Sequence, residues 1–477
     1  MSDSRRYSLK KFTNIPLKII RTKNVFNFLL SAIISLVIVY FFRSPDFDTV
    51  QNGVMFILFF AIGLWITEAI PPFAVGILII GFLVFTMGKT GEIDVKPYIQ
   101  TWSDGVMWLF LGGFFLAAGM KKTNLDFQLL KFAAPKFGNK AQNILLGLML
   151  TSAIISMLMS NTATTAMMIA TVSPLFTQLG KSSNFAKALL LGIPAAASIG
   201  GMGTIIGSAP NAIAVGALEG IGIQVSFIEW MIVGIPISII LVFVFWKALI
   251  VKYKIKSEVL ELDFLNTTIE NKTIDSIEIK IQKQIMLVVL AVTLFLWLTS
   301  KWTGIPVAAV SGVPIVALTM FGIIDADDVR SLSWDTLMLV AGGLALGLAI
   351  QEQGLAAYFV SQISTSHLNF SVLIIVFGLI TVLLSNFMSN TAATTILIPV
   401  AITLTSVGTA NPIILPLVIG LSASCALLLP VSTPPNAIAY STGLLTQAEF
   451  RLGGIVIGIT GPILTILWTL LIAYLIF

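Results

Sequence analysis

Cysteine and histidine, the residues that build most disulfides and metal clusters, are almost missing: 477 residues contain one of each, Cys425 and His367. A disulfide framework and a Cys/His metal centre are both excluded. Cys425 reads as a small packed residue and His367 as a loop residue. Charge is scarce as well. Only 10% of residues are Asp, Glu, Lys or Arg, against 57% hydrophobic, and a soluble domain needs about 25% charged residues to stay solvated. No apolar run holds a paired carboxylate, so the reading is not an enzyme. Nor does any run carry the regular ring of charges or the repeated carbonyl filter of a channel. An anion channel is therefore the weaker alternative.

What is abundant is apolar sequence. Runs of about 20 hydrophobic residues recur, each long enough to cross a hydrocarbon core of about 30 Å. The first follows a basic segment and lacks a small-residue cleavage site, so it reads as a retained span. Seven basic residues precede it: Arg5, Arg6, Lys10, Lys11, Lys18, Arg21 and Lys23. The positive-inside rule then puts the N-terminus in the cytoplasm of a cell-membrane protein. Alternating the spans leaves four of the 27 basic residues outside, Arg43, Lys89, Lys96 and Lys301. The net charge of +5 thus marks orientation; no nucleic acid is expected as a partner.

Four segments recur in order, roughly 225 to 235 positions apart. They are Ile70-Pro71 with Ile305-Pro306, a Trp followed by Gly112-Gly113 with Trp334 and Gly342-Gly343, Met159 to Ala163 with Met388 to Ala392, and Pro210 to Ala214 with Pro435 to Ala439. One match would mean little in apolar sequence; four in register mean duplication. The charge pattern makes the Gly-Gly element run inward in one copy and outward in the other, so the repeats are inverted. The expected fold is an all-α polytopic membrane protein with two inverted repeats. The organisation is a basic N-terminus (1–24), a first repeat with a preceding span (25–250), a cytoplasmic linker (251–283) and a second repeat (284–477).

In the first repeat an uncharged stretch, 141–180, is slightly short for two full spans and reads as a re-entrant hairpin; in the second its counterpart, about 367–407, lies within a longer uncharged stretch from Gln353 to Ala448. Ser-Asn-Thr stands at the middle of each hairpin. These are favoured N-cap residues, so each hairpin turns there and its second arm begins with free N–H donors and a positive dipole end. Downstream, Gly200 to Asn211 and Pro430 to Asn436 interrupt the long helices 188–218 and 412–443. Broken backbone at membrane depth is tolerated only inside protein or against a cavity. Its carbonyls are hard oxygen ligands for a small cation, beside N–H and hydroxyl donors for an anion. Glu68 and Asp335 read as helix-end residues, Lys121 and Lys122 as markers of topology, and the tryptophans near span ends as an interfacial belt.

These residues resemble the divalent anion:sodium symporter family, the INDY-like carriers of dicarboxylates, citrate and sulfate, over nearly the whole chain from Phe26 to Phe477. The resemblance implies a homodimer in which a scaffold supports an elevator-type transport domain, with sodium as the coupling ion or, alternatively, dicarboxylate exchange. It implies that Asn161, Thr162, Asn390 and Thr391 contact a C4 or C5 dicarboxylate, aided by Ser208, Thr433 and Pro434, with sulfate or citrate as alternative cargo. It also implies two cation sites. One uses Ser156, Ser160, Asn161 and the Gly207 carbonyl; the other uses Ser385, Ser389, Asn390 and the Ser432 carbonyl.

Overall fold

A computed structural model describes residues 22–89, 93–179, 183–256, 277–355, 358–359, 370–406 and 411–476. The basic segment up to Arg21, Lys181, most of the linker and His367 lie outside them. The regular elements described are helical. In chain order they are α1 (Thr22–Phe42), α2 (Thr49–Thr67), α3 (Pro72–Gly88), α4 (Lys96–Gln100), α5 (Gly105–Lys122), α6 (Leu125–Ala133), α7 (Ala141–Ser156), α8 (Asn161–Leu179), α9 (Asn184–Gly200), α10 (Ala209–Gly220) and α11 (Phe227–Tyr253). The second half holds α12 (Ile277–Thr303), α13 (Val307–Met320), α14 (Ala326–Arg330), α15 (Trp334–Glu352), α16 (Phe370–Phe387), α17 (Asn390–Ser406), α18 (Ile414–Ser422), α19 (Pro434–Ser441) and α20 (Arg451–Ile476). Nine helical segments among the described residues are long and apolar enough to cross a membrane.

The duplication governs packing as well as order. Helix α3 packs on α15, and α5 on α13. Gly342 meets the Gly76 backbone so closely that a Cβ would overlap it, and a Cβ on Gly112 would lie 2.8 Å from Ser311 Cβ. In the repeat, Gly112 answers to Gly342 and Ser311 to Gly76, so one helix crossing is built twice. The Gly-Gly motif thus marks close helix approach, which small residues allow in membranes. The hairpins and broken helices form the other group: α10 lies on α17 and α18, while α19 lies on α8 and α9. Each broken helix therefore seats on the opposite repeat's hairpin, as a two-fold relation requires.

Caps fix several ends. Asp48 and Gln51 form a capping box at α2, and Ser226 and Glu229 form one at α11, each satisfying amides that a helix start leaves free. Lys122 at the end of α5 bonds Asp325, at 2.8 Å, and Asp328. These contacts hold the Asp325 carboxyl down at about 2, well below the usual range.

The tryptophans require a correction. Trp65, Trp230 and Trp297 are fully buried. Their indole N–H groups donate to the carbonyls of Pro72, Met202 and Val307. Trp65 with Pro72 and Trp297 with Val307 are again one contact made twice. A buried indole needs an acceptor, and the end of a neighbouring helix supplies one, so these rings tie helix ends together. Trp108 and Trp302 remain exposed.

Candidate functional site

Ser160 and Ser389 cap the second arms of the hairpins. Ser160 Oγ accepts from the Ala163 amide at 3.2 Å and Ser389 Oγ from the Ala392 amide at 3.1 Å. Asn161 and Asn390 are then the first residues of α8 and α17, where amides have no acceptor inside the helix. Ser208 and Thr433 stand at the N-terminal ends of α10 and α19, in extended conformation. Four helix starts, two from hairpins and two from broken helices, thus face one region.

That region is a cavity of about 630 Å³. Ser160, Asn161, Thr162, Gly207 and Ser208 line it from one repeat, and Ser389, Asn390, Thr391, Ser432, Thr433 and Pro434 from the other. Ser156 and Ser385 are buried just behind, on the first arms. All the residues that the resemblance implied for substrate and cations therefore fall at or directly behind one cavity. Its opposite wall holds groups the sequence did not single out for binding: Phe110 and Phe114 of α5, Ser333 and Thr336 at the start of α15, and Glu68. Glu68 ends α2 in the left-handed conformation, with φ 49°, and contributes a carboxylate to the lining. Its helix-end position was legible; its place in the cavity depends on a neighbour far along the chain. A smaller cavity of about 260 Å³, lined by Gln100, Asp104, Gly220 and Gln351, lies between the same two helix groups toward the other end of α5 and α15.

The broken turns are held by the Asn of the duplicated Pro-Asn-Ala-Ile-Ala motif. Asn211 Nδ2 donates to the carbonyls of Gly201 and Thr204, both at 2.7 Å. Asn436 Nδ2 donates to the Leu429 carbonyl at 3.1 Å, and Leu429 is the repeat counterpart of Thr204. The sequence showed the motif but not this task, because the acceptors are unwound carbonyls that only the fold brings near.

The candidate cation sites differ in their bonding. In the first repeat Ser156 Oγ donates to Asn161 Oδ1 at 2.6 Å. A Cβ added to Gly201 would lie 2.7 Å from that oxygen and 2.9 Å from the Gly207 carbonyl, so these oxygens close around one turn. In the second repeat Ser385 Oγ and Asn390 Oδ1 are buried without a hydrogen-bond partner among the described residues. Orphaned buried oxygens call for an explanation. A set of neutral hard oxygens, with carbonyls freed by a broken helix, fits sodium.

A multi-pass helical bundle, built from two inverted repeats whose hairpin tips meet at a polar cavity, defines a membrane transporter of the inverted-repeat class. Two solved structures share its fold. MtrF of Neisseria gonorrhoeae, from a class of antimetabolite efflux pumps, superposes with a TM-score of 0.58 at 12% identity over 86% of this chain and 96% of its own. The YdaH transporter of Alcanivorax borkumensis gives 0.51 at 12% over 78% and 84%. At the level of sequence, residues 22–477 match the sodium:sulfate symporter transmembrane region, and the chain belongs to that family. It is 30% identical to the sodium-dependent dicarboxylate transporter SdcS of Staphylococcus saprophyticus over 80% of this chain and 78% of that one, and 30% identical to SdcS of Staphylococcus aureus strain USA300 over 92% and 89%. The resemblance read from the paired motifs is borne out.

Proposed function

We propose that this chain carries small dicarboxylates, of the succinate, malate, fumarate and 2-oxoglutarate kind, together with sodium. The observation that supports the reading best is the meeting of Asn161 and Asn390 at one cavity with four helix N-termini around it. A dianion has two separated charges, and the site offers two like ends. At one end stand the amides and hydroxyls of Asn161, Thr162 and Ser208; at the other, those of Asn390, Thr391 and Thr433. Helix dipoles then replace formal cations. Neutral donors hold a dianion loosely enough to release it, so affinity is expected in the micromolar to millimolar range.

Ser156, Ser160, Asn161 and the Gly207 carbonyl would hold one sodium ion; Ser385, Ser389, Asn390 and the Ser432 carbonyl would hold the other. Bound there, sodium supplies positive charge beside each tip. Asn161 and Asn390 belong to both sets, so filling the cation sites fixes the side chains that receive the anion. That sharing supports coupling over exchange, as does the sodium dependence of the SdcS relatives.

Alternating access follows from the two helix groups. Helices α7–α11 and α16–α20 form a transport domain that moves as an elevator against a scaffold of α1–α5 and α12–α15, in a homodimer. With the N-terminus cytoplasmic, the rim formed by Glu68, Ser333 and Thr336 lies on the cytoplasmic side, and the cavity opens inward. Uptake of labelled succinate into proteoliposomes tests this, with and without sodium and with and without internal dicarboxylate. Sodium-driven uptake into empty vesicles is expected. Uptake that needs internal dicarboxylate and ignores sodium overturns the coupling.

A further inference from the structure

A third cavity, of about 710 Å³, lies away from the polar one. Its walls are Ile38, Phe41 and Phe42 of α1, Leu58, Phe59 and Ile62 of α2, Ile350 of α15, and Val400 and Leu404 of α17, with Tyr358 and Phe359 at the rim. Tyr358 is the one side chain among them with a polar group, and its hydroxyl donates to the Phe42 carbonyl at 2.6 Å. Aromatic contacts brace the rim, Phe47 on Tyr358 at 4.6 Å and Phe59 on Phe359 at 6.4 Å between ring centroids. Apart from that hydroxyl, the described lining is apolar, and it bounds the crevice on several sides. In a membrane protein such a space at hydrocarbon depth is filled by what surrounds it, since an unfilled void forfeits dispersion contacts along its whole lining.

Its dimensions and the arginine that follows Phe42 select the occupant. Ile62 lies about 20 Å along α2 from Thr49, comparable with one leaflet of a bilayer whose hydrocarbon half-thickness is about 15 Å. Arg43 directly follows Phe42 at the mouth, where its guanidinium lies 5.7 Å from the Tyr40 ring. It makes no ion pair with a carboxylate among the described residues. An aromatic ring and an arginine at a span end form the usual headgroup-level anchor. We infer that this crevice is a binding site for one anionic phospholipid, its acyl chain between α1, α2 and α17 and its phosphate at Arg43. Helix α17 is an arm of the second hairpin, whereas α1, α2 and α15 belong to the other helix group. On the elevator reading above, the lipid is therefore a wedge between the moving and fixed parts.

Binding is measured apart from transport, so the lipid site and the elevator fail separately. Purified protein is titrated with phosphatidylglycerol and read by native mass spectrometry, beside Arg43→Gln and Val400→Trp. A phosphatidylglycerol carrying a diazirine on its acyl chain maps the contact. One retained lipid per chain is expected, with label on the peptides holding Phe59 and Leu404. Val400→Trp, which fills the crevice, is expected to lose it. Arg43→Gln is expected to weaken it about fivefold, the worth of one cation near an anionic headgroup, and phosphatidylcholine to bind more weakly by a similar factor. Equal retention in Val400→Trp, or label spread evenly over lipid-facing helices, overturns the proposal. A Phe41→Cys variant that cross-links two chains while no lipid is retained overturns it too, because the crevice is then an interface between copies. If both variants lose the lipid but uptake is unchanged, the site stands and its role as a wedge falls.

Discussion

The two proposed cation sites stand at matching places in the repeats but bond differently. In the first repeat Ser156 satisfies Asn161 Oδ1, and the adjacent break is rich in glycine, Gly200 to Gly203, folded into tight turns that Trp230 pins through the Met202 carbonyl. In the second, Ser385 Oγ and Asn390 Oδ1 have no hydrogen-bond partner among the described residues. The break there is rich in proline and is pinned by Asn386, whose Oδ1 accepts from the Leu428 amide at 2.8 Å. Even the repeat counterpart of Gly201 differs, being Ala426. Duplication preserved the helix starts that face the cavity and let the supports behind them diverge. The first site is satisfied by its own side chains; the second has buried oxygens without a partner among the described residues, which the proposed cation would fill.

The largest effect expected is common to both repeats. Asn161→Ala and Asn390→Ala should each lower dicarboxylate uptake by a hundredfold or more, on the order of the loss when a group positioning a bound substrate is removed. Size-exclusion profiles should stay unchanged. Wild-type uptake in either variant removes the site assignment. The next effect is confined to the first repeat. Gly201→Ala places a methyl 2.7 Å from Asn161 Oδ1, closer than a Cβ is found to an oxygen, so the cage must open. Sodium-dependent uptake should fall sharply, and added sodium should no longer protect the variant against heat. Retained sodium protection would mean that the cation is held elsewhere.

Stability separates the cages more finely. Removing Asn161 strands a buried Ser156 hydroxyl, and leaving a buried polar group unpaired costs about 1 to 3 kcal/mol. Removing Asn390 takes away an oxygen that already lacks a partner. Without sodium, thermal unfolding in detergent should therefore show Asn161→Ala destabilised and Asn390→Ala close to wild type. With sodium, Asn390→Ala should lose the protection that wild type gains, because a ligand stabilises only the state that binds it. Equal destabilisation of both variants without sodium would mean that the cages are not bonded differently.

Much of this was open to sequence reading, and the boundary is instructive. The first hairpin was legible because forty residues without charge between Lys140 and Lys181 are short for two full spans, and the second because its Ser-Asn-Thr repeats the first; Ser160 and Ser389 have the chemistry of caps. The inverted duplication was legible from four motifs in register. The burial of Trp65, Trp230 and Trp297 was not, because an indole near a span end looks alike whether it faces lipid or a neighbouring helix. Glu68 reached the cavity lining, and Asn211 and Asn436 became staples, through neighbours that no local pattern announces. Pro236 and Pro462, inside α11 and α20, are a further repeated pair that comparing the halves could have found.

The smallest effect concerns how each break is pinned. Trp230→Phe keeps most of the ring's packing and removes one N–H, leaving the Met202 carbonyl without its donor. The expected cost is about 1 kcal/mol, the net worth of one hydrogen bond. Asn386→Leu strands the Leu428 amide and should cost more, about 1 to 3 kcal/mol. Because Met202 sits between Gly201 and Gly203 in the turn that closes the first cage, Trp230→Phe should also weaken sodium protection in thermal unfolding. Asn386 holds Leu428, which precedes Ser432 on the other cage, and it should affect sodium protection through that cage alone. In a Trp230→Phe, Asn386→Leu double variant the losses in unfolding free energy should add, as independent sites do. Non-additive losses would mean that the two breaks, distinct in chemistry, support each other as one unit.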